Sequence, residues 1–109
     1  MPKYLVLYHA DVSAEQQMQQ SPEEGQAEMQ EWMAWAESAG QAIVDLGTPL
    51  GNGRTVGGSG AGASSSSTVA GYSMLDAADA DAAAALMQSH PHLKTGTIEV
   101  LEALEIPGM

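Results

Sequence analysis

The chain has 109 residues, 44% of them hydrophobic, with no cysteine or phenylalanine and a formal net charge of -11 from 14 Asp and Glu against three Lys and Arg. That length suits a single domain around one core, expected to span residues 1–109. The charge repels phosphate backbones and anionic lipid surfaces, and the lack of cysteine excludes disulfides, thiolate zinc sites and cysteine nucleophiles.

The chain runs directly into a strand, without a basic leader followed by an apolar run, and no later apolar stretch has membrane-spanning length. The expectation is a cytoplasmic protein with neither nucleic acid nor membrane as partner. From Lys3 to His9, Tyr4, Val6 and Tyr8 alternate with Leu5, Leu7 and His9, so a strand here has two faces that need cover. Helices cover one face of a small sheet; an apolar second face points to a symmetric copy, hence a homodimer.

Ser21-Pro22-Glu23-Glu24 reads as a helix start, with Ser as N-cap, Pro at the first helical position and acids near the positive dipole end. Met29, Trp32, Met33 and Ala36 share one helical face and are expected to be core, with Trp35 at the flank or at a subunit contact, and Gly40 ending the helix. Ala42 to Leu46 reads as a short strand and Gly47-Thr48-Pro49-Leu50-Gly51 as a turn. Residues 51 to 67, rich in Gly and Ser, have the composition of a flexible loop or weak hairpin, with a short edge strand around Arg54 to Val56.

Thr68 to Asp76 is a strand, and Asp79 caps a helix whose face carries Ala80, Ala83, Ala84 and Met87. Pro91 stops that helix near Ser89, and Thr97 to Leu104 forms the last strand. The order β-α-β-β-α-β predicts an α+β, ferredoxin-like domain: a four-stranded antiparallel sheet with two helices on one face.

No motif specifies a reaction, a substrate or a cofactor. His90 and His92 form the one close pair of strong ligand or base types, and either could equally fill a polar turn at a helix end. A metal would need further ligands such as His9, Asp45 and Glu99, and no metal or other cofactor is expected. His9 ends a strand, where pocket residues are common. Asp45 lies between apolar Val44 and Leu46 and could orient a histidine or bond the Gly47 turn. Tyr72 could point its hydroxyl into a pocket. Gly58-Ser59-Gly60-Ala61-Gly62 lacks both nucleotide-binding fingerprints, and Ser64 to Ser67 lacks a nucleophile elbow.

Lys3-Tyr4-Leu5-Val6-Leu7-Tyr8-His9, the Ser21-Pro22-Glu23-Glu24 opening, Val44-Asp45-Leu46-Gly47-Thr48-Pro49-Leu50, Gly71-Tyr72-Ser73, and His90-Pro91-His92-Leu93 with Gly96-Thr97-Ile98-Glu99-Val100 together resemble the YCII-related, or DGPF-type, domain family across almost the whole chain. The resemblance implies a dimeric α/β barrel with a cavity in each subunit. A histidine and aspartate dyad proposed for one branch falls on Met29 and His90 here, and the Asp-Gly-Pro-Phe signature of the other is missing, so neither active site carries over. The cavity location does carry over, with His9, Trp32, Asp45, Tyr72, His90 and His92 as candidate lining residues.

The leading expectation is a homodimer binding a small organic molecule between sheet and helices, with or without lyase-like acid/base activity. If catalytic, His90 or His92 acts as base, Asp45 orients it and Tyr72 donates to a developing oxyanion. The alternative is a non-catalytic interaction or scaffold dimer without ligand. Oxygenation without a cofactor is suggested by fold analogy alone.

Overall fold

A computed structural model describes residues 1–10, 21–58, 60–64 and 67–108. The elements run β1 (Lys3–Ala10), α1 (Pro22–Ala39), β2 (Ile43–Asp45), β3 (Arg54–Gly57), β4 (Gly60–Ser64), β5 (Val69–Asp76), α2 (Ala80–Met87) and β6 (Gly96–Glu102), with 3-10 turns at Gly40–Ala42 and Pro91–Lys94. The sheet order is β2-β5-β1-β6, every neighbouring pair antiparallel. This is the ferredoxin-like α+β plan. Arg54 to Ser64, expected as a loop or weak hairpin, pairs as a separate two-stranded hairpin, β3 on β4.

Local chemistry sets the element ends. The Ser21 hydroxyl accepts from the Glu24 backbone N–H at 3.2 Å and Pro22 occupies the first turn, where a missing N–H costs nothing. Gly40, at φ 59°, turns the chain out of α1. The Asp79 carboxylate accepts from Ala82 N–H at 2.8 Å to start α2. Gly47 has φ 82°, and a Cβ there would overlap the Tyr72 carbonyl, so only glycine lets the turn after β2 lie against β5.

Strand alternation then sorts the side chains. Tyr4 faces Leu75, and Val6 faces Ser73 and Val100 across the β1 ladders; Tyr4, Val6, Tyr8, Ser73 and Leu75 are buried under the helices. Leu5, with Met74 on one side and Leu101 on the other, and Leu7 opposite Tyr72 belong to the opposite face. No described helix covers that face, and the short axis of the molecule is 18 Å, about one sheet plus one helical layer.

The expected core face of α1 is corrected by the structure. Trp35, assigned to the flank, is the buried residue at 5% exposure, whereas Met29 and Met33 are 61% and 51% exposed. Trp32, Trp35, Ala36 and Ala39 form the stripe packed on the sheet and on Met87. The Trp35 indole N–H donates to the Leu86 carbonyl at 3.3 Å, tying α1 to α2. On α2, Ala83 and Met87 are buried, while Ala80 and Ala84 are exposed. No described helix is long and apolar enough to cross a membrane.

Candidate functional site

A cavity of about 550 Å³ opens between the N-terminal half of α1 and one end of the sheet. Met29, Trp32 and Met33 wall it from the helix, Leu46 to Pro49 and Ala70 to Tyr72 from the sheet edge, and Tyr8 and His92 from below. Met29 and Met33 are exposed because they face this space rather than the packed layer. The wall is mostly apolar and contains neither Lys nor Arg.

Beneath the cavity is an aromatic cluster. The His90 ring centroid lies 4.3 Å from that of Trp32 at 88°, 4.5 Å from Trp35 at 64° and 4.9 Å from Tyr8. Such edge-to-face contacts stabilise by about 0.5–1.5 kcal/mol each beyond burial. His90 is 2% exposed. Its Nδ1 accepts from the His92 backbone N–H at 3.0 Å, which fixes the proton of the neutral ring on Nε2. That Nε2 is buried without a hydrogen-bond partner among the described residues, and the indole rings of Trp32 and Trp35 pack against the imidazole. Burial, and to a smaller extent the neighbouring His92, push its pKa down to about 4, so His90 is neutral at pH 7.

His92 stands at the cavity wall. Its Nε2 donates to the His9 backbone carbonyl at 2.8 Å. The contact depends on Gly96: a Cβ there would overlap the His9 carbonyl and sit 2.8 Å from the His92 Nε2. Tyr8 completes the floor, with its hydroxyl 2.8 Å from Ser73 Oγ; burial raises its pKa above the ordinary tyrosine value.

Of the six residues expected to line a pocket, Trp32 and His92 do so under the helix, and Tyr72 borders the cavity only at the sheet edge, on the strand row opposite to Tyr8. His90 sits behind the wall among the aromatic rings. His9 lies on the opposite face, its Nε2 donating to Glu99 at 2.9 Å and its Nδ1 2.7 Å from the Thr68 hydroxyl. The Asp45 carboxylate accepts from the Tyr72 hydroxyl at 3.2 Å and from the Gly47 N–H at 2.9 Å. The carboxylate raises the Tyr72 pKa, keeping the phenol a donor. Tyr72 pairs with Leu7, not with the Tyr8 row, so its phenol points away from the imidazoles. The arrangement of His90 or His92 with Asp45 and Tyr72 as one catalytic group is therefore not assembled: sheet parity separates it into a histidine and aromatic cluster under the helices and a Tyr72–Asp45 pair on the other face.

Tyr8, Met29 and Met33 also line the cavity, although the helical spacing points Met29 and Met33 to core and Tyr8 reads only as one residue of a strand face. The signal for Tyr8 was its place at the end of the Tyr4, Val6, Tyr8 row, which aims it under the same helix as Trp32. Among the described residues no group of three His, Asp or Glu side chains is disposed to hold a metal ion.

No curated protein matches the chain. The family model of the YCII-related domain matches residues 3–107. With nearly its whole length inside that match, the chain belongs to the YCII-related domain family.

Proposed function

We propose that the protein is a homodimer, packed sheet on sheet, whose subunits each bind a small organic molecule in the cavity beside Trp32 and His92. The observation that carries this reading is the cavity itself, about 550 Å³ with a mostly apolar wall and few polar groups, within the size range of small-molecule sites. A scaffold alone has no need of such a space, and filling it with side chains would stabilise the fold. The row Met74, Leu5, Leu101 on the uncovered face supports the dimer.

Binding is favoured over lyase-like acid/base turnover. Neither His90 nor His92 is hydrogen-bonded to a carboxylate of a described residue, and Asp45 is engaged by Tyr72 and Gly47. Native mass spectrometry of freshly purified protein tests the reading, with a dimer carrying a small-molecule mass as the expected result. A bare monomer, or a crystal structure with Met29 and Met33 collapsed onto His92, overturns it.

A further inference from the structure

We infer that His92 sets the selectivity of this cavity: its Nδ1 is a fixed hydrogen-bond acceptor, and the site takes an uncharged ring compound carrying a hydroxyl or N–H donor. The inference rests on the cavity being a binding site, and it deepens that reading by assigning the ligand class.

The argument starts from the proton. A backbone carbonyl only accepts, so the 2.8 Å contact between His92 Nε2 and the His9 oxygen requires N–H on Nε2. In the neutral imidazole the lone pair is then on Nδ1. The ring cannot turn over to exchange the two nitrogens without losing that bond. Its backbone is held as well, because the His92 N–H donates to His90 Nδ1.

Nδ1 makes no hydrogen bond to a described residue. Among described side chains, His90 Nε2 is the one unpartnered polar atom fully sealed from open volume, so His92 Nδ1 retains access to space. His92 is 7% exposed in total, and the space it borders is the cavity. The wall thus offers an imidazole acceptor of fixed orientation beside Tyr8 and Trp32, in a mostly apolar lining whose other polar side chains include Ser21, Glu28 and Thr48.

The surroundings define the rest of the molecule. Tyr8 and Trp32, with ring centroids 4.9 Å apart, and the thioethers of Met29 and Met33 suit a flat apolar body. Carboxylates and phosphates are disfavoured, since no Lys or Arg lines the wall and the chain carries a formal charge of -11.

Phenol and toluene, which differ by OH against CH₃, are the probes, titrated into the intact protein and followed by NMR with ¹⁵N-resolved histidine signals. An apolar wall without an acceptor prefers toluene, because a buried hydroxyl without a partner is costly. The second protein is His92→Gln, whose amide N–H can still donate to the His9 carbonyl; its own acceptor, the amide oxygen, stands one bond farther from Cβ than Nδ1, so the acceptor at the Nδ1 position is gone. The expected result is that phenol shifts the His92 Nδ1 resonance, and that the phenol-to-toluene affinity ratio falls about 5- to 10-fold in His92→Gln, the scale of one net hydrogen bond.

Should both probes bind with the same ratio in the two proteins, the acceptor role is overturned while the cavity stands. If neither probe binds the wild-type protein, the binding site itself fails. A His92 signal showing the proton on Nδ1 overturns the assignment directly, even if His92→Gln does not fold.

Discussion

The Tyr8 hydroxyl and the Ser73 Oγ lie 2.8 Å apart inside the sheet layer, and Ser73 donates onward to the Leu46 carbonyl at 2.6 Å. Because the carbonyl can only accept, the chain of donors runs Tyr8 to Ser73 to Leu46. It joins β1, β5 and the end of β2 beneath the cavity. Removing Tyr8's hydroxyl leaves the Ser73 to Leu46 bond intact. Removing Ser73's leaves both a buried phenol and a carbonyl short of a partner.

The first expected outcome follows from that asymmetry. Tyr8→Phe should cost about 1 kcal/mol and Ser73→Ala about 2–3 kcal/mol, the usual difference between losing one net hydrogen bond and orphaning buried groups. Denaturant melts of the two variants check this. Equal costs would mean that the buried chain is not a donor relay.

His90 makes a pH prediction. Its folded pKa is about 4, against an ordinary 6.5. Between those values the unfolded chain takes up a proton that the folded protein refuses, so stability falls as pH drops through that window. The contribution lost by pH 4 is about 2–3 kcal/mol, at roughly 1.4 kcal/mol per pH unit. His90→Asn keeps an acceptor near the Nδ1 position and removes the titration. Its stability curve should be flatter than wild type between pH 6.5 and 4, and parallel curves would show that His90 accepts the proton while folded.

Much of this architecture was legible because its signals are local. Ser21 with Pro22, Asp79, and the alternation of Tyr4, Val6 and Tyr8 each act within a few residues, and the element order follows from them. The buried stripe of α1 was not decided locally. Met29, Trp32, Met33, Ala36 and Trp32, Trp35, Ala36, Ala39 have the same helical spacing, and only the position of the cavity shows which set meets the sheet. The site shared this difficulty. His90 and His92 stood out as residue types, but the parity that sends Tyr72 to the Leu7 side depends on pairing across sixty-five positions. The burial of His90 depends on two tryptophans from another element.

Gly96 is expected to be irreplaceable for a reason distinct from backbone strain. Its Cβ would have to occupy the space of the His9 carbonyl and crowd the His92 Nε2. Gly96→Ala should therefore separate β1 from β6 at the end where Ala10 pairs with Gly96 and break the His92 to His9 bond. A loss on the order of 2–3 kcal/mol, together with an altered His92 ¹⁵N spectrum, is expected. An unchanged spectrum would show that the ring does not need this glycine.

The uncovered sheet face gives the most direct test of assembly. Leu101 is 44% exposed and lies beside Leu5, which is flanked in turn by Met74. In a two-fold dimer every substitution enters twice. Withdrawing one large apolar side chain costs about 1.5–3 kcal/mol, so Leu101→Asp should weaken association by a hundredfold or more. Light scattering should report a monomer, with far-ultraviolet circular dichroism unchanged because the helix-facing core does not include Leu101. Leu93→Asp, at a residue of similar exposure in the 3-10 turn, controls for the general effect of removing a surface leucine and should remain dimeric. If both variants dissociate, the interface includes the helical side; if neither does, the row Met74, Leu5, Leu101 is not what joins the subunits, and the face-to-face packing is wrong.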